Sequence, residues 1–143
     1  MEKRPLFSLV IPCYQPEKTI FRLFDSLTRQ GIPKDDLEII LSDDNSGNLD
    51  YREQLKPYGF ELIFTETHVD VHCPGNTRQA GLFLAKGEWV FFADQDDFFE
   101  DNALQNIKSY IQNHAEKKMY VISTIMRSYD PATDQCYFDH VHK

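Results

Sequence analysis

Long apolar runs are missing from this chain. None approaches the ~20 residues that cross a bilayer, so no transmembrane helix is expected. Positive charge is also scarce. Fifteen Lys and Arg stand against 23 Asp and Glu, for a formal net charge of −8. Duplex binding needs clustered Lys and Arg to displace counterions, and no such cluster exists, which argues against nucleic acid as a partner. Cysteine is limited to Cys13, Cys73 and Cys136. An odd count with no CxxC gives no disulfide framework and points to free thiols in a reducing compartment. A zinc set of His72, Cys73, Cys136 and His140 can be written down, but its spacing matches no ribbon or finger. Repeats, low-complexity tracts and Gly/Ser/Pro linkers are absent, so residues 1–143 are expected to form one domain. The start carries Lys3 and Arg4, yet the apolar stretch after them, Leu6 to Ile11, stops at Pro12. That is too short for a signal-peptide core, and a cytoplasmic protein is expected.

What is present is a globular composition, 41% hydrophobic and 27% charged. Short β-rich runs alternate with helical periods. Leu6 to Ile11 is a near-continuous apolar run, the mark of a strand buried on both faces. Pro16 suits a first helical turn, and Ile20, Leu23, Phe24 and Leu27 share one helical face until Gly31 and Pro33 stop it. Leu37 to Leu41 is a second strand, leading into the turn-rich Asp43-Asp44-Asn45-Ser46-Gly47-Asn48. A short helix over Leu49 to Tyr58, a strand over Phe60 to Thr65 and a polar loop over Glu66 to Pro74 follow. Thr77 to Lys86 is predicted helical and closed by Gly87, with Arg78 in its first turn. Trp89 to Ala93 is the most apolar strand, followed by an acidic loop, an amphipathic helix marked by Leu104, Ile107 and Ile111, and a fifth strand over Tyr120 to Met126. Such alternation predicts an α/β fold, a three-layer α/β/α sandwich around a mostly parallel sheet. Open sheets of this kind bind ligands beyond the carboxyl ends of their strands.

The unusual polar residues fall at those ends: Pro12-Cys13-Tyr14-Gln15, Asp43-Asp44-Asn45-Ser46 and Asp94-Gln95-Asp96-Asp97. Five aspartates converging on one edge repel one another unless compensated, and Mg²⁺ or Mn²⁺ is the simplest compensation. Taken singly, each aspartate fits a turn or a helix cap equally well. Arg78, close behind Pro74 and Gly75, suits a diphosphate at a helix N-terminus, or simply pairs with the acidic cluster. Tyr14 is placed either to stack on a base or to cap the core. Gly81 permits close helix–sheet packing, and the histidines read as surface groups. A nucleotidyltransferase would carry a Gly-rich, Arg-containing loop where Cys13-Tyr14-Gln15-Pro16 stands. A receiver domain would place its acidic groups after the first and third strands rather than after the second and fourth.

These residues resemble family 2 glycosyltransferases. Ser8 to Gln15 is similar to that family's opening strand, Glu38 to Ser46 to its acidic second strand, Gly75 to Gly87 to its Gly/Arg helix segment, and Asp94-Gln95-Asp96 to its Asp-x-Asp. Gln15 and Gln79 stand where the family commonly has Asn. The resemblance covers Phe7 to Leu104. It implies the GT-A fold and transfer of a sugar from a nucleotide-diphosphate sugar, with UDP as the expected nucleotide, to an acceptor hydroxyl during polysaccharide synthesis. It implies Pro12 and Tyr14 at the base, Asp44 hydrogen-bonded to it, Arg78 at the base or diphosphate, Asp94 near the ribose and Asp96 on a divalent metal, Mn²⁺ or Mg²⁺. A saccharide or lipid-linked acceptor is implied, with any peripheral attachment to the inner face of the membrane made through regions outside this chain. The catalytic base is expected beyond residue 143, which reads as a truncation. A non-catalytic nucleotide-binding module of the same half-fold is the alternative.

Overall fold

The computed structural model describes residues 3–116, 125–130 and 132–141. They belong to two compact units, Met1–Ser109 and Tyr110–Lys143. The first unit holds β1 (Phe7–Cys13), α1 (Ile20–Leu27), β2 (Leu37–Asp43), α2 (Tyr51–Leu55), β3 (Glu61–Glu66), α3 (Pro74–Leu82), β4 (Trp89–Phe92) and the first turns of α4 (Ala103–Asn113). The four strands form one parallel sheet in the order β3-β2-β1-β4. The apolar runs of β1 and β2 take its centre, where nearly every residue of both strands is buried.

Topology follows from handedness. The connections through α1 and α2 step outward from β1 to β3, whereas the one through α3 returns from β3 across to β4. Right-handed crossovers therefore place α1 and α2 on one face and α3 on the other. The apolar stripe of α1, Ile20, Leu23, Phe24 and Leu27, is fully buried. On the opposite face α3 packs over β1, β2 and β3. Gly81 makes that approach possible: a Cβ there would lie 2.5 Å from Val10 Cγ1. Because α3 does not reach across β4, Val90 and Phe92 remain exposed in the strand that looked most apolar in sequence.

The N-terminal edge of the sheet is held by one buried carboxylate. Glu38 pairs in register with Ser8. Its Oε1 accepts from Ser8 Oγ at 2.5 Å, from the Lys86 amide at 2.5 Å and from the Gly87 amide at 3.1 Å. The Arg4 guanidinium donates to the Lys86 and Gly87 carbonyls. Gly87 is thus required by close approach: a Cβ would sit 2.5 Å from the Ser8 amide nitrogen. It does not close the helix as its sequence position suggested, since α3 ends at Leu82. The helix also begins earlier than predicted, at Pro74 with Cys73 as N-cap. Arg78 is therefore the fifth residue of α3, one turn further in than expected.

In the second unit, β5 (Ile125–Tyr129) pairs antiparallel with β6 (Cys136–Val141) in a two-stranded sheet. The expected fifth strand spanned Tyr120 to Met126. Its residues 120–124 lie outside the described residues, and the strand described next to them forms a hairpin rather than a further parallel strand. The connection is too short for a crossover, and Asp130 builds a turn by accepting from the Ala132 amide at 2.7 Å.

Candidate functional site

The carboxyl ends of β1, β2 and β4 and the start of α3 enclose a cleft of about 270 Å³. It is lined by Pro12, Cys13, Tyr14, Asp44, Pro74, Thr77, Arg78, Asp94, Gln95 and Asp96. The six residues singled out in sequence, Pro12, Tyr14, Asp44, Arg78, Asp94 and Asp96, therefore face one space. A larger cavity, about 820 Å³, lies elsewhere and is lined by Lys3, Arg4, Lys34, Lys86 and four other residues. Three of those cations are already committed: Lys3 to Asp36, Arg4 to backbone carbonyls, and Lys34 to the Tyr58 carbonyl. The smaller cleft is the one with convergent groups able to exchange partners.

Within it the consecutive aspartates at the end of β2 diverge: Asp43 is the last residue of the strand and Asp44 the first after it. Asp43 turns into the body and accepts from the Ser46 amide (2.7 Å), Ser46 Oγ (2.7 Å) and Tyr51 Oη (2.8 Å). Burial, with the hydrogen bond to Asp43 and its charge adding to it, pushes the Tyr51 phenol far up, so it stays a donor. Asp44 faces the cleft and accepts from Thr67 Oγ1 at 3.0 Å. His72 Nδ1 lies 3.2 Å from its other oxygen. A carboxylate stabilises a ring N–H there, which assigns the proton to Nδ1. The His72 ring also packs on Tyr14, with centroids 4.3 Å apart. Burial pushes the Cys13 thiol up, so this cleft residue remains a thiol rather than a nucleophile.

The acidic loop after β4 is organised around its own backbone. Asp97 accepts from the Asp94 amide at 2.9 Å. Lost hydration first, then the Asp94 and Asp96 charges, raise the Asp97 carboxyl above its ordinary value. Asp94 is ion-paired with Arg78, and both side chains are substantially exposed, at 52% and 35%. Five aspartates at one edge were expected to need compensation, from a metal ion or from Arg78. The protein itself supplies donors to Asp43 and Asp44 and the Arg78 cation to Asp94, and turns Asp97 on the loop backbone. Only Asp96 enters no hydrogen bond or ion pair among the described residues. No group of three or more His, Cys, Asp or Glu is arranged among the described residues to hold a metal alone. A single exposed carboxylate fits Mg²⁺ or Mn²⁺ when phosphate oxygens and water complete the shell, as is usual for these ions.

His72, Thr67 and Gln95 were not anticipated from sequence. His72 gave no signal beyond its place before α3, and its role depends on β3 and α3 meeting beside Asp44. The side chains of Cys136 and His140, in the zinc set considered above, lie outside the described residues. No described helix is long and apolar enough to cross a membrane.

Comparison with known proteins gives the family and the fold. A family model described as Glycosyl transferase family 2 matches residues 8–134. A poly(ribitol-phosphate) beta-glucosyltransferase of Bacillus spizizenii is 39% identical over 99 residues, 68% of this chain and 16% of the relative. The poly(ribitol-phosphate) beta-N-acetylglucosaminyltransferase TarS of Staphylococcus aureus is 32% identical over 114 residues, 76% of this chain and 19% of TarS. The crystal structure of TarS 1-349 with UDP superposes with a TM-score of 0.71 at 32% identity, over 76% of this chain and 32% of that one. That with UDP-GlcNAc gives 0.69 at 31%, over 76% and 32%. The chain thus spans less than a fifth of these curated relatives.

Proposed function

Since the chain belongs to glycosyl transferase family 2, we propose that it forms the donor-binding part of an enzyme that transfers a sugar from a UDP-sugar to an acceptor hydroxyl. The observation that carries this reading is the convergence of Pro12, Tyr14, Asp44, Arg78, Asp94 and Asp96 on one cleft at the carboxyl edge of a parallel sheet. Pro12 and Tyr14 form an apolar and aromatic wall for the base. Asp44, an acceptor held by Thr67 and His72, matches a base that presents an N–H, as uracil does. Arg78 exchanges its partner Asp94 for the donor diphosphate, which releases Asp94 toward the ribose. Both side chains are exposed enough for that exchange.

Asp96 would hold Mn²⁺ or Mg²⁺. When bound, the ion stabilises the negative charge that builds on the departing nucleoside diphosphate. The TarS complexes with UDP and UDP-GlcNAc support a UDP-sugar donor. The names of both relatives support a poly(ribitol phosphate) acceptor and a place in cell-surface polymer synthesis. Work on the cytoplasmic side, at the inner face of the membrane, belongs to the same reading. No described residue is assigned as the base that deprotonates the acceptor.

Calorimetric titration of UDP, GDP, CDP and dTDP, with and without Mn²⁺, tests the donor site. UDP is expected to bind best and metal to strengthen it, with Asp96→Ala losing the metal-dependent part. Equal binding of all four nucleotides, or an Asp96→Ala protein indistinguishable from wild type, would refute the assignment.

A further inference from the structure

We infer that Gln95 is a positioning residue that fixes the base side of the cleft to its metal side. The inference rests on the donor-site reading above and deepens it. Gln95 stands between Asp94 and Asp96, and Tyr14 follows β1. The two are 81 positions apart, yet the Gln95 side-chain amide pairs with both polar groups of the Tyr14 backbone. Its Oε1 accepts from the Tyr14 amide at 2.7 Å, and its Nε2 donates to the Tyr14 carbonyl at 3.0 Å. A flipped amide would set N–H against N–H and oxygen against oxygen, so the contact fixes the orientation of Gln95 as well as its position.

Tyr14 is held from two more directions. Its ring rests on His72, which also binds Asp44. The next residue, Gln15, has a left-handed φ of 46°, a conformation that costs a non-glycine residue energy and persists only when its surroundings enforce it. The Gln15 amide donates to Ser46 Oγ at 2.8 Å, and Ser46 is fastened to Asp43. The turn after β1 is thus tied to the β2 loop through Ser46, to α3's approach through His72 and to the acidic loop through Gln95. Of these three ties, Gln95 is the one that joins the wall proposed for the base to the loop proposed for the diphosphate and metal. No other residue type does this equally well. A Glu keeps the acceptor for the Tyr14 amide but turns a carboxylate on the Tyr14 carbonyl. A Met fills the same volume and makes neither bond.

The test separates the two halves of the ligand. Binding of UDP, of uridine and of Mn²⁺-pyrophosphate is measured by calorimetry on the wild-type chain, Gln95→Met and Gln95→Glu, with thermal unfolding of each. Gln95→Met is expected to weaken uridine and UDP about tenfold, as expected for losing a two-point hydrogen-bonded contact. It should leave Mn²⁺-pyrophosphate and the unfolding midpoint where they are, with Gln95→Glu falling between. Unchanged uridine and UDP binding in Gln95→Met overturns the inference alone. An equal loss of all three ligands with a lowered midpoint also overturns it, since that marks a general structural role. A wild-type chain that binds neither UDP nor uridine overturns the donor-site reading and this inference together.

Discussion

The two edges of the same parallel sheet are both polar, and they use polarity in opposite ways. At the N-terminal edge most of the groups bind backbone, the Lys3–Asp36 pair apart. Arg4 holds two carbonyls, Lys34 holds the Tyr58 carbonyl, and Glu38 collects two amides and the Ser8 hydroxyl. Backbone partners are fixed by the fold, so these contacts are not exchanged. At the carboxyl edge Arg78 holds Asp94, and Thr67 and His72 hold Asp44. Side-chain partners can rotate away when a better one arrives. The larger cavity goes with the first arrangement and the smaller cleft with the second. Exchangeable pairing, rather than volume, is what sets the carboxyl edge apart.

Substitutions should separate stability at one edge from binding at the other. The largest effect is expected from Gly87→Ala, whose new Cβ meets the Ser8 and Phe7 backbone, atoms that cannot swing aside. A loss of ~3 kcal/mol in urea unfolding is expected, with UDP binding by the remaining folded protein unaltered. Glu38→Ala comes next. It strands the part-buried Lys86 amide, leaves the Gly87 amide to Ser8 Oγ alone, and should cost ~2 kcal/mol by the same measurement.

At the other edge, Arg78→Ala should leave unfolding within ~0.5 kcal/mol, because its ion pair is exposed, while weakening UDP roughly tenfold. A result the other way round would erase the contrast between the edges. The smallest effect concerns Asp36, whose carboxyl is held below its ordinary value by hydrogen bonds from Lys3 and then Lys108. A depressed carboxyl stabilises the fold above its unfolded pKa, and that contribution fades as pH falls through the folded one. Asp36→Asn should therefore be less stable than wild type at pH 7 by up to ~1 kcal/mol. Paired thermal melts should show the gap closing as the pH drops below about 4.

Much of this was legible in sequence because it rests on local signals. The continuous apolar runs of Leu6–Ile11 and Leu37–Leu41 identified two strands, and the common direction of a parallel sheet brought three polar loops to one edge. Two kinds of feature were not legible. Helix bounds shifted where a residue served a distant contact: Gly87 looked like a helix stop, but its reason is the Ser8 backbone. Partners distant in sequence were likewise hidden. Nothing near Gln95 indicates Tyr14, and nothing near His72 indicates Asp44. The donors that satisfy Asp43 and Asp44 were hidden for the same reason, since Tyr51 and Thr67 arrive from other parts of the chain.

The adjacent aspartates where β2 ends carry one further implication. Asp43 serves the interior and Asp44 the cleft, although they are chemically identical neighbours. In a cell their losses would belong to different classes of defect. An allele altered at Asp43 removes the acceptor for Ser46 and Tyr51, so it would be temperature-sensitive and eased by cooling or by chaperones. On the donor-site proposal, an allele altered at Asp44 would yield abundant folded protein and be eased by more sugar donor. Two letters that look like a repetition in the sequence thus face the interior in one case and the cleft in the other.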